Sequence, residues 1–221
     1  MGRLSAWILK ILGWKIQGWN PLLLRQYILI VIPHTSNWDF PLGLLTRSAL
    51  SWHINFVGKD TLFRWPFGAI LRWMGGYPVD RRKSNNYVDA VAEVFRNNPD
   101  FRLSIAPEGT RGKVEKLKSG FYYIAQKAQV PIILVAFDYG KKIVRIGEPI
   151  SPNITYDELY DLMKQFYHGV TGKNKNLGFT AFFALLCDYK VIFLDLFEGF
   201  LILFILNYMQ RIDFAEHLIQ E

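Results

Sequence analysis

The sequence contains very little cysteine and few charged residues for its length. Cys187 is the only cysteine among 221 residues, which excludes an intrachain disulfide and any zinc site built from cysteines alone. Charged residues make up 20% of the chain and apolar residues 51%, a balance too hydrophobic for an intrinsically disordered protein. The sequence has no internal repeat and no linker rich in proline or serine. We therefore interpret it as a single globular domain with its own core.

The charges that are present are more often positive than negative. There are 26 Lys and Arg residues against 19 Asp and Glu residues, so the formal net charge is +7. This excess favours anionic partners such as phosphate groups, nucleic acid or acidic lipid, and it does not choose among them. Aromatic residues make up 16% of the chain and suit either a membrane interface or a core. No nucleic-acid-binding motif is found, so nucleic acid is not predicted as a partner.

Residues 1–20 are predicted to form an amphipathic helix at a membrane interface. Its apolar stripe follows helical spacing, with basic residues nearby: Leu4, Trp7, Ile8, Ile11 and Leu12. A basic amphipathic helix that contains tryptophan is typical of segments that lie in a lipid interface. The alternative is a surface helix that packs on its own domain.

Residues 171–221 are predicted to form an apolar C-terminal extension. Four charged residues interrupt its most apolar part, Phe179–Met209: Asp188, Lys190, Asp195 and Glu198. No charge-free stretch there reaches the roughly 18 residues expected of a membrane-spanning helix. On a helix, the three acidic side chains would share one edge, which suits a helix lying in the membrane plane. The same pattern also suits a tail that does not belong to the domain.

The central residues 21–170 alternate between strand and helix patterns. Strands are predicted at Tyr27–Ile32, Ile54–Val57, Tyr77–Val79, Arg102–Ala106, Val130–Phe137 and Lys142–Ile146. Helices are predicted within Phe63–Met74 and at Tyr87–Phe95, Gly120–Gln129 and Thr155–Tyr167, the last with a capping box. Continuous apolar runs such as YILIVI are typical of strands buried on both faces. The sequence thus predicts an α/β domain with a largely parallel central sheet flanked by helices.

A histidine and an aspartate follow the first buried strand, five residues apart. A neutral imidazole can take the proton from a hydroxyl that attacks a carbonyl group. A carboxylate assists by fixing the imidazole tautomer and stabilising the imidazolium. His34 and Asp39 can meet if Asp39 lies in the first turn of the next helix, where Thr35, Ser36 and Asn37 are suitable N-caps. The alternative is that Asp39 only complements the helix dipole.

Two further loops carry candidate phosphate contacts. The first, Pro107–Arg111, follows a predicted strand, and ligands bind at the carboxyl ends of strands in parallel sheets. Its glycine permits close approach of the backbone, and the Arg111 fork matches phosphate oxygens. The second loop, Gly76–Arg81, offers Arg81 as another cation. Each loop could equally be an ordinary turn with a surface ion pair.

The ordered set HTSNWD, GYPVDR, PEGTR and VPI resembles the four motif blocks of the glycerolipid acyltransferase family, in particular its short bacterial branch. The resemblance covers about Tyr27–Gly147. It implies that His34 is the general base and that Asp39 orients it. It also implies that the acceptor's glycerol phosphate is bound by Glu108, Gly109, Thr110, Arg111, Arg81 and Lys59.

The resemblance implies a fatty acyl transfer to the free hydroxyl of a lysophospholipid, most simply 1-acyl-glycerol-3-phosphate, giving phosphatidic acid. The donor would be acyl-CoA or acyl-carrier protein, with no metal and no cofactor. The expected location is the cytoplasmic face of the bacterial inner membrane, on an anionic surface. Two alternatives are weighed: the same chemistry on glycerol 3-phosphate or a lyso-ornithine lipid, and a non-catalytic lipid-binding protein. A panel of acceptors would separate the first alternative, and the non-catalytic alternative predicts that His34→Ala has no effect.

Overall fold

A five-stranded, mainly parallel sheet forms the centre of the part of the chain that the computed structural model describes, residues 2–65, 68–79 and 87–179. These residues lie within one compact unit that ends at Leu185, and a second unit, Leu186–Glu221, falls outside the described residues. The strands in chain order are β1 (Lys15–Gly18), β2 (Tyr27–Ile32), β3 (Phe56–Lys59), β4 (Gly76–Val79), β5 (Arg102–Ile105), β6 (Lys113–Val114), β7 (Ile132–Asp138), β8 (Ile143–Ile146) and β9 (Gly178–Phe179).

Six α-helices occur among the described residues. They are α1 (Gly2–Ile11), α2 (Asp39–Ala49), α3 (Gly68–Trp73), α4 (Tyr87–Asn97), α5 (Gly120–Ala128) and α6 (Tyr156–Tyr167), with short 3₁₀ turns at Pro21–Leu23 and Asp60–Phe63. The predicted capping box at the start of α6 is confirmed, because the Thr155 hydroxyl accepts the Glu158 N–H while the Glu158 carboxylate accepts the Thr155 N–H.

The main sheet has the strand order β1-β8-β7-β2-β5. Strands β5, β2 and β7 run parallel, with Ile30 opposite Ile105 on one side and Ile32 opposite Ala136 on the other. The β7–β8 pair is antiparallel, and β1 joins β8 in parallel. The α/β class with a largely parallel sheet is therefore confirmed, and the carboxyl ends of three neighbouring strands lie at one edge of the sheet.

The core lies on both faces of the sheet because alternate β2 side chains point to opposite sides. Ile28, Ile30 and Ile32 pack with buried residues of α4, α5 and α6. Tyr27 and Leu29 pack on the other face, in the cluster that also contains Leu9 of α1 and Leu42 of α2. The domain thus has helices on both faces, and α2 covers the face that proves to hold the cavity described below.

Several predicted boundaries differ from the observed ones by one or two residues, and the structure gives the reason for three of these differences. The strand predicted at Ile54–Val57 begins at Phe56, because β3 pairs with β4 in a separate two-stranded sheet. The strand predicted from Val130 begins at Ile132, because Pro131 has no N–H to give to a ladder. The N-cap of α2 is Trp38 rather than Thr35, Ser36 or Asn37, since the Asp39 carboxylate already binds the N–H groups of that turn.

The helix predicted over residues 1–20 ends at Ile11, because Lys15–Gly18 pairs with β8 as strand β1. Most of the predicted apolar stripe of the helix is exposed. Ser5 and Leu9 face the domain, and the Ser5 hydroxyl donates to the Ser48 hydroxyl of α2 at 2.8 Å. Four stripe residues are 49–62% exposed: Leu4, Trp7, Ile11 and Leu12. Within residues 2–65, 68–79 and 87–179, no helix is both long and apolar enough to span a membrane.

Candidate functional site

The His34 imidazole and the Asp39 carboxylate meet at the carboxyl end of β2. The sequence HTSNW makes a turn after β2, and Asp39 begins α2, so the five-residue spacing brings the two side chains together. Nδ1 of His34 lies 3.1 Å from Oδ2 of Asp39. The His34 side chain is 24% exposed and the Asp39 side chain only 2%. The imidazole therefore reaches solvent or ligand while its carboxylate partner is enclosed.

Protein donors surround the buried Asp39 carboxylate. The N–H groups of Thr35 and Ser36 both donate to Oδ2, at 2.9 Å each. The Tyr139 hydroxyl donates to Oδ1 at 2.8 Å. A buried carboxylate that accepts hydrogen bonds on both oxygens is held in one orientation. The arrangement can fix one tautomer of His34, with Nδ1–H toward Asp39 and Nε2 available as a base.

Glu108, from the PEGTR loop, is buried directly behind His34. The His34 backbone N–H donates to Oε2 at 2.6 Å, and the Phe179 N–H donates to Oε1 at 2.8 Å. Burial raises the pKa of the Glu108 carboxyl above its usual value, while these two N–H donors act in the opposite direction. In this structure the Glu108 side chain supports the His34 backbone. The predicted contact between Glu108 and the acceptor remains a prediction.

The segment after α6 closes over the same turn. Asn174 bonds twice to Thr35, its backbone N–H donating to the hydroxyl at 3.2 Å and its side-chain amide to the carbonyl oxygen at 2.8 Å. The Lys173 amine lies 4.4 Å from the centre of the Trp38 ring. At Gly178, φ is +83° and an added Cβ would lie 2.7 Å from Glu108 Oε1, so no other residue fits that contact.

Three residues of the PEGTR loop are exposed, Gly109, Thr110 and Arg111, and a lysine lies near Gly109. Gly109 has φ +67°, and an added Cβ there would lie 2.5 Å from the Lys118 amine. Thr110 accepts the Gly112 N–H at 3.2 Å through its hydroxyl. Arg111 is exposed and lines the cavity beside His34. An arginine with its planar fork available at the mouth of a cavity is suited to a phosphate group.

The structure does not describe the side chains of two predicted phosphate contacts, Lys59 and Arg81. Lys59 ends β3, but its side chain lies outside what the structure describes. Arg81 lies within residues 80–86, so its predicted role likewise falls outside the described part of the chain. Most of the apolar extension, residues 180–221, has the same status. The predicted domain division at residues 20 and 170 stays a prediction.

A cavity of about 410 Å³ extends from the His34–Asp39 pair along α2. Asp39 and Arg47 both line it, and eight residues of helix separate them by about 12 Å. Most of the lining side chains are apolar and come from the sheet, from α2 and from the chain that follows α2: Leu29, Val31, Phe40, Leu44, Trp52, Ile54, Phe56, Met74, Val135 and Phe137. Such a cavity suits a hydrocarbon chain whose reacting end lies at His34.

The site contains partners that sequence reasoning missed: Tyr139, Asn174 and Lys118. Tyr139 is 100 residues from Asp39, and Asn174 is 139 residues from Thr35. Strand order offers one signal, since Tyr139 directly follows β7, the parallel neighbour of β2. No comparable local pattern marks Asn174 or Lys118.

Comparison with known families gives a match to the family model described as Acyltransferase over residues 15–138. Similar curated proteins include a 1-acyl-sn-glycerol-3-phosphate acyltransferase from Haemophilus influenzae, 34% identical over 125 residues. The alignment covers 48% of this chain and 52% of that protein. The human 1-acyl-sn-glycerol-3-phosphate acyltransferase alpha is 24% identical over 177 residues, covering 71% of this chain and 62% of that one. The matches to other mammalian relatives cover a smaller share of their length, such as 32% for the human beta protein.

Among solved structures, the 1-acyl-sn-glycerophosphate acyltransferase of Thermotoga maritima has a similar fold. The TM-score is 0.50 at 22% sequence identity, with 75% of this chain and 74% of that chain covered. This likeness agrees with the α/β architecture described above. The chain spans about half the length of the Haemophilus relative and less of several others.

Proposed function

Because the chain belongs to the acyltransferase family, we propose that it transfers a fatty acyl group from a thioester donor to the free hydroxyl of 1-acyl-glycerol-3-phosphate, giving phosphatidic acid. The donor is acyl-CoA or acyl-carrier protein. The observation that carries this proposal is the His34–Asp39 pair at the end of an apolar cavity that Arg111 also lines. A base, a phosphate-binding cation and a hydrocarbon site are the three parts that this reaction needs.

In the proposed reaction, His34 acts through Nε2, the ring nitrogen that does not face Asp39. It takes the proton of the acceptor hydroxyl while that oxygen attacks the thioester carbonyl carbon. The buried Asp39 carboxylate stabilises the imidazolium that forms. The tetrahedral intermediate then expels the thiolate, which takes the proton back from His34. One carbon–oxygen bond forms and one carbon–sulfur bond breaks, and the base returns to its neutral state.

We place the two ends of the acceptor by charge and polarity. The phosphate lies at the exposed Arg111, with Gly109, Thr110 and Lys118 near it and with Lys59 and Arg81 as further predicted contacts. A hydrocarbon chain occupies the cavity along α2. The role of Glu108 in this scheme is to hold the His34 backbone through its N–H, a support that is compatible with the predicted contribution of its loop to acceptor binding.

The exposed apolar side chains of α1 support a peripheral membrane location. Lysophospholipid acceptors reside in membranes, and Trp7 is 60% exposed on a helix with basic residues at positions 3 and 10. We propose that this helix lies in an anionic membrane surface, on the cytoplasmic face of the bacterial inner membrane, where thioester donors are available.

The proposal is tested by measuring thiol release. Detergent-solubilised protein is mixed with palmitoyl-CoA and lysophosphatidic acid, and free CoA is followed with a thiol reagent. We expect release that requires the acceptor and that falls by roughly 10²–10⁴-fold in His34→Ala. His168→Ala is the matched control, because His168 is exposed at the end of α6 and does not line the cavity.

Several outcomes would contradict parts of the proposal. Near-normal turnover by His34→Ala would refute the general-base assignment. Reaction only with a phosphate-free acceptor, such as a lyso-ornithine lipid, would refute the phosphate role of Arg111, while reaction with glycerol 3-phosphate would change the acceptor class. If acyl-CoA and acyl-carrier protein both failed with every acceptor, while the protein still bound lipid, the non-catalytic alternative would replace the proposal.

A further inference from the structure

The Tyr139 hydroxyl donates to the carboxylate oxygen of Asp39 that does not face His34. We infer that Tyr139 is a positioning residue for the His34–Asp39 pair, acting through Asp39 without touching the substrate. This inference rests on the proposed function for its effect on turnover, but the contact itself does not. None of the four motif blocks contains Tyr139, and the residue lies 100 positions away from Asp39 in the sequence.

The two oxygens of the Asp39 carboxylate have different hydrogen-bond partners. Oδ2 lies 3.1 Å from His34 Nδ1 and also accepts the N–H groups of Thr35 and Ser36 at 2.9 Å. Oδ1 accepts the Tyr139 hydroxyl at 2.8 Å. Donors on both oxygens oppose rotation about the terminal torsion, which is otherwise broad and roughly two-fold for aspartate. Removing the hydroxyl lets the carboxylate turn, and a turned carboxylate no longer aligns with Nδ1.

Sheet topology explains why a tyrosine arrives at this place. Strands β5, β2 and β7 are parallel neighbours, and their carboxyl ends lie at one edge of the sheet. The middle strand leads to His34, and each outer strand leads to a support. Glu108, after β5, binds the His34 backbone N–H, and Tyr139, the residue immediately after β7, binds the Asp39 carboxylate.

Tyr139 is itself held by one contact to its ring and one to its backbone. Trp14, between α1 and β1, meets it edge to face at a centroid distance of 4.9 Å and an interplanar angle of 90°. The Tyr139 backbone N–H donates to the Thr171 carbonyl oxygen at 2.8 Å. The hydroxyl is thus presented by a fixed ring rather than by a mobile surface side chain, as a positioning role requires.

The test removes only the hydroxyl and compares it with another tyrosine hydroxyl. Tyr139→Phe is expected to lower kcat by roughly 10–150-fold, as for the loss of a hydrogen bond to a charged group, with the KM for the acceptor within about twofold. Tyr122→Phe is the matched control, because its hydroxyl donates at 3.0 Å to the Ile154 carbonyl oxygen on the opposite face of the sheet. The control is expected to keep wild-type turnover. Equal losses in both variants would overturn the inference.

A second readout does not depend on activity. In protein with ¹⁵N-labelled histidine, the His34 Nδ1–H gives a proton resonance only while a hydrogen bond protects it from exchange, and His34→Ala identifies it. We expect this signal to broaden or disappear in Tyr139→Phe and to persist in Tyr122→Phe. A signal as strong as in the wild type, or unchanged turnover, overturns the inference. If the wild-type protein transfers no acyl group, the proposed function fails while this signal still decides the role of Tyr139.

Discussion

At the scale of single residues, the backbone of His34 is anchored as well as its ring. The Glu108 carboxylate accepts the His34 N–H through one oxygen and the Phe179 N–H through the other. Glutamine at position 108 has nearly the same shape but offers only one acceptor oxygen, so one of these N–H groups loses its partner. A buried N–H without a partner costs about 1–3 kcal/mol.

We predict that the difference in unfolding free energy between the wild type and Glu108→Gln depends on pH. Burial raises the pKa of Glu108 in the folded protein, so its favourable contribution is present below the ordinary value of 4.5 and is lost as pH rises through the folded value. Glutamine does not titrate. We expect the free energy of unfolding of the wild type, relative to Glu108→Gln, to fall from pH 4.5 toward neutrality. Urea unfolding across this range measures it, and a constant difference would contradict the prediction.

The sequence predicted that His34 and Asp39 lie together, but it did not predict most of the residues that support them. His34 and Asp39 are close in the chain, and a helix start after a strand is enough to bring them together. Glu108 and Tyr139 reach the pair from 74 and 100 residues away, through the register of neighbouring strands. A single sequence does not specify which strands are neighbours or in which register they pair. Glu108 and Tyr139 could therefore be placed only near the ends of predicted strands.

At the scale of elements, α1 packs on the domain through its less apolar face and leaves its more apolar face exposed. The periodicity predicted the stripe correctly, and the packing through Ser5 and Leu9 could not be predicted from it. Strand and helix types were predicted well where patterns are local, as in the capping box of α6. Boundaries failed where partners elsewhere decide them, as for β3, which pairs outside the main sheet.

Because the apolar face of α1 is exposed, we predict that substitutions on it weaken membrane binding and leave the fold intact. The triple variant Leu4→Ser, Trp7→Ser and Ile11→Ser changes side chains that are 60–62% exposed, so each should alter stability by no more than about 0.5 kcal/mol. A large apolar side chain contributes about 1.5–3 kcal/mol when fully buried, so binding to anionic vesicles should fall at least roughly tenfold.

Cosedimentation with vesicles of phosphatidylcholine and phosphatidylglycerol measures this loss. Leu162→Ser is a suitable control, because Leu162 is 39% exposed on α6, which packs on the other face of the sheet. We expect the control to bind vesicles as the wild type does. Unchanged binding by the triple variant would show that another surface holds the membrane.

At the scale of the whole molecule, the α/β architecture puts His34 at one end of a cavity that no local pattern reveals. Alternation of strands and helices was sufficient to predict the parallel sheet, and the carboxyl edge of such a sheet is where His34 lies. The cavity arises because α2 and the chain after it cover the sheet face that carries Leu29 and Val31. Its dimensions depend on how three separate segments pack, which periodicity does not specify.

Gly43 offers a way to test whether this cavity holds the transferred chain. It lines the cavity one turn beyond Asp39, and an added Cβ would lie 3.7 Å from the Phe137 ring, an ordinary contact. Gly43→Ala should therefore be tolerated, whereas the larger side chain in Gly43→Leu must occupy cavity volume. We expect Gly43→Leu to lower kcat/KM for a palmitoyl donor at least roughly tenfold more than for an octanoyl donor. Equal losses for both donors would mean that the acyl chain lies elsewhere.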